Sequence, residues 1–141
     1  MELAARLAQV DAGIEAAAHA AGRDPASITR IVVTKFHPPA LVEELYALGV
    51  RDVGENRQQE LSEKTAALSA LGDLRWHFIG QAQTNKAKAI RAAASVVHSV
   101  DRPRIADALD AAATAESPVL DVLIQVNLTD DPERGGVRPE G

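Results

Sequence analysis

The residue best placed to do chemistry is Lys35. It follows Ile31, Val32, Val33 and Thr34, a β-branched run that reads as a strand. The lysine therefore stands at a strand's carboxyl end. An amine held there above an apolar filling loses hydration, and burial disfavours the ammonium and lowers its pKa. A neutral lysine amine attacks an aldehyde and forms a Schiff base. The competing reading is a surface lysine whose stem lies on apolar atoms while its charge reaches water. Other polar residues fall at comparable places: His37, then Glu55 and Asn56, then His77 with Gly80, Gln81, Gln83, Asn85 and Lys86 after it. His98, Ser99 and Asp101 follow, then Gln125 and Asn127. Loops are polar by default, and an ordinary set of solvated loops is the competing reading of this grouping.

Several chemistries are excluded or disfavoured. His37, His77 and His98 form no HxxxH or HExxH pair, and there is no cysteine. A metal centre is therefore not expected. His77 reads as an interior group hydrogen-bonded to a neighbour, or as a contact to a planar ligand. His98 and Ser99 are adjacent on a strand and point to opposite faces, so they cannot serve as base and nucleophile with Asp101. Glu43 and Glu44 lie on an outer helix. Glu55 could hold a neighbouring group, but no acid of matched spacing pairs with it. There is no GxGxxG and no GxxxxGK[ST]. Gly135-Gly136 reads as a flexible loop, or as a loop placing Arg134 or Arg138 near an anion.

The elements that must position these groups alternate. A leading helix carries Leu3, Leu7, Val10 and Ile14 on one face and stops at Gly22. A strand spans 28–34. A helix opens at Pro38-Pro39, buries Leu41, Leu45 and Leu48, and ends at Gly49. Further strands are expected at 51–54, 74–79, 95–99 and 120–128. Helices lie between them at 57–71, at 84–93 capped by Thr84, and from Asp101, as cap, to about Ala115. The order β-α-β-α-β-α-β-α-β calls for a parallel sheet with helices outside. Ligands bind such folds at the carboxyl ends of the strands.

Composition agrees with a folded chain: 46% of its 141 residues are hydrophobic and 25% charged. The net charge of -5 and the 3% aromatic content argue against a nucleic-acid partner. Glu2, Arg6 and Asp11 interrupt the N-terminal apolar pattern. The segment therefore does not read as a signal or transit peptide. No run approaches the roughly 18 apolar residues of a membrane span. The expectation is a soluble, cytoplasmic protein with no membrane partner. Residues 1–141 read as one incomplete domain, because a closed eight-stranded α/β barrel needs roughly 200 residues or more.

The runs Val33-Thr34-Lys35-Phe36-His37-Pro38, Val53-Gly54-Glu55-Asn56 with Gln59-Glu60, and Arg75-Trp76-His77-Phe78-Ile79-Gly80 with Gln83-Thr84-Asn85-Lys86 occur in that order. They are followed by His98-Ser99-Val100-Asp101 and Leu123-Ile124-Gln125-Val126-Asn127. Together, in order and spacing, they resemble the pyridoxal phosphate homeostasis proteins over essentially the whole chain. The resemblance implies an α/β fold, a partial (β/α)8 TIM barrel of the alanine-racemase type. It would have about five parallel strands, outer helices and a leading N-terminal helix. It implies pyridoxal 5'-phosphate as cofactor, held as a Schiff base on Lys35, with Asn56, His77 and Asn127 lining the site. It implies a non-catalytic carrier that delivers the cofactor to apo-enzymes, and relatives that are monomeric. The alternatives are an amino-acid racemase-like enzyme using the same cofactor, or a piece without cofactor function.

Two positions depart from the family pattern. His37 stands where many members carry a second lysine. Arg134 stands where a lysine is common, and arginine keeps the charge without forming a Schiff base. The resemblance also implies about three further βα units bearing a Gly-Met-Ser-type loop and an Arg-Ile-Gly stretch that grip the cofactor phosphate. Without them the open sheet is expected to leave apolar edges uncovered and to favour self-association.

Overall fold

The computed structural model describes residues 2–141. Helix α1 spans Leu3–Ala20. Strands and helices then alternate: β1 Val32–Val33, α2 Pro39–Ala47, β2 Asp52–Glu55, α3 Gln58–Ala67 and β3 Arg75–Phe78. They continue as α4 Ala87–Ala93, β4 Val96–Val100, α5 Pro103–Ala111 and β5 Asp121–Ile124. The five strands form one parallel sheet in the order β1-β2-β3-β4-β5. This is the α/β, partial-barrel architecture expected from the alternation. Strands β1 and β5 form its two edges.

The core lies between one face of the sheet and the helices. Val53, Trp76, Phe78 and Val97 come from the strands; Val42, Leu45, Leu61, Ile90, Ile105 and Leu109 come from α2 to α5. Each fully buried side chain of this kind stabilises the fold by about 1.5–3 kcal/mol. The period of two puts Arg75 and His77 on the opposite face of β3. A side chain at Gly54 would meet Ile31, Val33 and Ile79, so those residues share that second, inner face.

Local chemistry sets how α2 delivers β2. Gly49 adopts φ +98° just after the helix. The Gly49 N–H donates to the Tyr46 carbonyl, and the Val50 N–H donates to that of Leu45. Val50 and Leu45 are both buried. This is a Schellman end with its apolar contact. Gly22 (φ +68°) ends α1 in the same way, with Arg23 donating back to Ala18.

The structure corrects several expected boundaries. The ladder of β1 covers Val32–Val33 only, not 28–34, because only Val53 and Gly54 of its sole partner β2 pair with it. Leu48 is 43% exposed as the C-cap of the helix; Val42 and Leu45 are its buried residues. Helix α3 stops at Ala67 so that Leu68 can turn into the core. Thr84 caps no helix; it opens a short 3-10 turn, Thr84–Lys86, ahead of α4. Asp101 does not cap α5 either. Arg102 is the residue before the helix, and the Asp101 carboxylate instead accepts hydrogen bonds from Gly136 N–H, Gln81 Nε2 and Arg102 Nη1. Helix α5 ends at Ala111, ahead of a turn in which Thr114 N–H donates to Ser117 Oγ. Strand β5 spans four residues, not 120–128, and Val126 pairs separately with Val137.

Candidate functional site

Lys35 occupies the corner of a turn at the end of β1. The His37 N–H donates to the Thr34 carbonyl at 3.1 Å. Phe36 sits at φ +68°, the third position of the turn, where a type II turn requires a positive φ and normally a glycine. Such a conformation costs a bulky residue of order 1–3 kcal/mol and persists only where the surroundings hold it. Lys35 is exposed, and nearby Val33 is 44% exposed on the open inner face. The desolvation expected of an amine over an apolar filling is therefore not present; solvent reaches this face.

The surroundings of the turn come from β2 and α3. The Lys64 ammonium donates to the Thr34 carbonyl and to Glu55 Oε2, both at 2.9 Å, and lies 3.5 Å from Glu60 Oε2. Thr34 Oγ1 donates to Glu55 Oε2. The Phe36 N–H donates to Glu60 Oε2 at 3.0 Å. That N–H is the main reason the Glu60 carboxyl is held below the usual carboxylate range, with Lys64 adding to it against the opposing effect of burial. Thr34, Glu55 and Lys64 are buried. Sequence reasoning missed this cluster apart from Glu55; the one local signal was the i,i+4 pair of Glu60 and Lys64 on α3.

Asn56 stands beside this turn across the β1–β2 pair. Val33 is in register with Gly54, and the Thr34 N–H donates to the Gly54 carbonyl. Lys35 and Asn56 therefore leave neighbouring strands at the same level. The Asn56 Oδ1 is buried without a hydrogen-bond partner. A side chain at Gly80 would come within 2.0 Å of the Asn56 carbonyl oxygen, so only glycine lets the two segments press together. Asn56 also borders a cleft of about 580 Å³ shared with Arg57, Gln59, Gln81 and Lys86.

His77 lies deeper, on the inner face of β3, and is buried. Its Nε2 is 2.8 Å from Asp52 Oδ1 and its Nδ1 is 2.9 Å from His98 Nε2. A carboxylate only accepts, so with both rings neutral Nε2–H of His77 faces Asp52. His77 Nδ1 then accepts from His98. Arg75 closes the row, 3.6 Å from Asp52 and 3.0 Å from Asp121. Burial, then the neighbouring His77, hold the His98 pKa below its ordinary value. The reading of His77 as a satisfied interior group thus describes its bonding here.

Asn127 lies past β5, across the sheet from Lys35, with β2, β3 and β4 between their strands. Its amide serves its own loop. Nδ2 donates to the carbonyls of Asp131 and Arg134, and Oδ1 accepts from the N–H and hydroxyl of Thr129. The sheet thus brings Lys35 and Asn56 together, sets His77 below them, and keeps Asn127 on the far edge.

A parallel sheet with helices outside, and a lysine and polar side chains at the carboxyl ends of its strands, defines a partial barrel of the TIM type. The chain belongs to the alanine racemase N-terminal domain family, whose pattern matches residues 8–141. It is 45% identical over 138 residues to the pyridoxal phosphate homeostasis protein of Pseudomonas aeruginosa, covering 98% of this chain and 60% of that protein. It is 40% identical to the protein of that name from Escherichia coli K12, covering 97% of this chain and 59% of that one. The structure of PipY from Synechococcus elongatus with PLP bound matches with a TM-score of 0.75 at 38% identity, over 90% of this chain and 58% of that one. A protein from Bifidobacterium adolescentis matches with a TM-score of 0.88 at 27% identity, over 97% and 59%. The chain spans about 60% of the length of the curated relatives it matches.

Proposed function

We propose that this chain binds pyridoxal 5'-phosphate covalently through Lys35 and serves cofactor homeostasis, without turning over a substrate of its own. The observation that carries the reading is the placing of Lys35. It is an exposed amine at the corner of a strained turn, beside Asn56, whose buried Oδ1 lacks a protein partner. These residues fit the aldehyde end of the cofactor. Lys35 would hold the cofactor through its amine, and Asn56, on the neighbouring strand, would offer its unpaired Oδ1 as an acceptor. When bound, the cofactor supplies an electron-withdrawing ring conjugated to that nitrogen. His77, hydrogen-bonded to Asp52 and His98, would line the inner face below. Asn127 shapes the loop that borders the site's far side.

The relatives named for pyridoxal phosphate homeostasis and the PLP-bound PipY structure support this reading. Delivery to apo-enzymes and a cytoplasmic location follow as proposals from the same similarity. Among the described residues no helix is long and apolar enough to cross a membrane. A racemase-like role would need an acid-base partner, often a tyrosine. The single tyrosine, Tyr46, donates its hydroxyl to Asp73 at 2.6 Å from α2, on the helix layer.

The test is a titration of the purified chain with pyridoxal phosphate, followed by borohydride reduction and peptide mapping. A visible absorbance band and a label on Lys35 are expected, and Lys35→Ala should abolish both. Folded protein that shows no band, or a label elsewhere, would overturn the assignment. Racemisation of alanine above the rate with free cofactor would overturn the non-catalytic part.

A further inference from the structure

The cluster of Glu55, Glu60 and Lys64 is an unusual thing to bury. The side chains of Lys64 and Glu55 are 5% and 0% exposed. Desolvating two charges offsets much of their attraction, so a buried pair is weak evidence of added stability. The cluster is not even fully satisfied: Glu55 Oε1 and Glu60 Oε1 are buried without partners. Its geometry has a clearer logic. One cation donates to the carbonyl of Thr34, the residue before Lys35. One carboxylate accepts from the N–H of Phe36, the residue after it. Both peptide groups flanking Lys35 are thus gripped from α3. Glu55 holds Lys64 in place and anchors Thr34 through its hydroxyl. The gripped turn contains the only non-glycine residue with positive φ among the described residues, Phe36.

We propose that Glu60 and Lys64, with Glu55 behind them, are positioning residues for Lys35. They hold its backbone in a conformation the turn would not keep unaided, and so set the direction from which its amine meets an aldehyde. The inference rests on the reading of Lys35 as the attachment residue. It adds how that residue is presented. The clamp acts through the turn. Glu60 accepts from Phe36 as a carboxylate, and a glutamine carbonyl in its place still accepts that bond, whereas alanine does not.

The test uses the full chain with Glu60→Ala and Glu60→Gln. Glu60 is at the cluster's open side, so loss of its side chain leaves the buried Lys64–Glu55 pair intact. Two readouts separate positioning from folding. The first is amide hydrogen exchange at Phe36 without cofactor, expected to speed up about tenfold in Glu60→Ala as a charge-assisted bond is lost. The second is the rate and affinity of attachment of pyridoxal phosphate. Both should fall about tenfold in Glu60→Ala and largely recover in Glu60→Gln, with circular dichroism unchanged. The double variant Glu55→Gln/Lys64→Met, which removes both charges of the buried pair together, should show the same loss of attachment. Wild-type labelling at Lys35 with equal rates in all variants would overturn the clamp alone. Labelling away from Lys35 in the wild type would overturn the proposed function, and the clamp with it. Unchanged exchange at Phe36 in Glu60→Ala would overturn the clamp whatever the cofactor does.

Discussion

Beside β1, a strained turn is held by buried charged side chains that reach it from a neighbouring strand and helix. Beside β5, the following loop is held by its own amide and by one carboxylate. Lys64, Glu55 and Glu60 lock the first. Asn127 and Asp101 shape the second. The strands differ in the same sense. β2, β3 and β4 have one face covered by helices, whereas Ile124 of β5 is 69% exposed, with Val122 and Leu123 also open. Precision is concentrated where Lys35 stands, and the far edge is an apolar strand with an unpaired side.

The largest effect expected of a single change is in the charged cluster beside β1. Lys64→Met removes one partner of a buried pair and strands the Glu55 charge, which costs about 3–5 kcal/mol. Urea denaturation followed by circular dichroism measures it, and a loss below about 1 kcal/mol would erase the contrast between the edges. Next comes Asn127→Ala at the open edge. Its amide is buried and makes several bonds within one loop, so about 1–3 kcal/mol is expected. Because the loop stands apart from the turn, attachment at Lys35 should change little. A large loss of attachment would instead make Asn127 part of the site.

A third test concerns the row between the edges. His98 has a folded pKa below its ordinary 6.5, chiefly from burial and secondly from His77. The unfolded chain therefore takes up a proton before the folded chain does. Stability should fall as pH drops from 7.5 through 6.5 and level off below the lowered folded value. Denaturation midpoints in this window measure it, and His98→Asn should flatten the dependence. The smallest effect is expected from Asp121→Ala. It removes an exposed partner of Arg75 and should cost no more than about 1 kcal/mol.

Much of the fold was legible in the residues. β-branched runs alternating with helix patterns name a parallel sheet, and Gly22 and Gly49 mark where helices stop. Caps were less legible. Thr84 and Asp101 are good cap residues by type, yet Asp101 is drawn away by the Gly136 N–H, which arrives from 35 residues further on. The same holds in the site. Lys35 could be singled out from the strand before it, but its exposure could not, because that depends on what covers the inner face.

The sequence by itself determined the order of elements, the lysine at the end of the first strand, and the membership of a family, because these follow from local propensity, period and motif. Only the tertiary structure decided how that lysine is presented. Glu60 reaches Phe36 across 24 residues, Lys64 reaches Thr34 across 30, and Asp52 meets His77 across 25. Such bonds depend on strand register and on where a helix docks. Both are fixed by burying one face of every element at once, and no window along the chain contains that information.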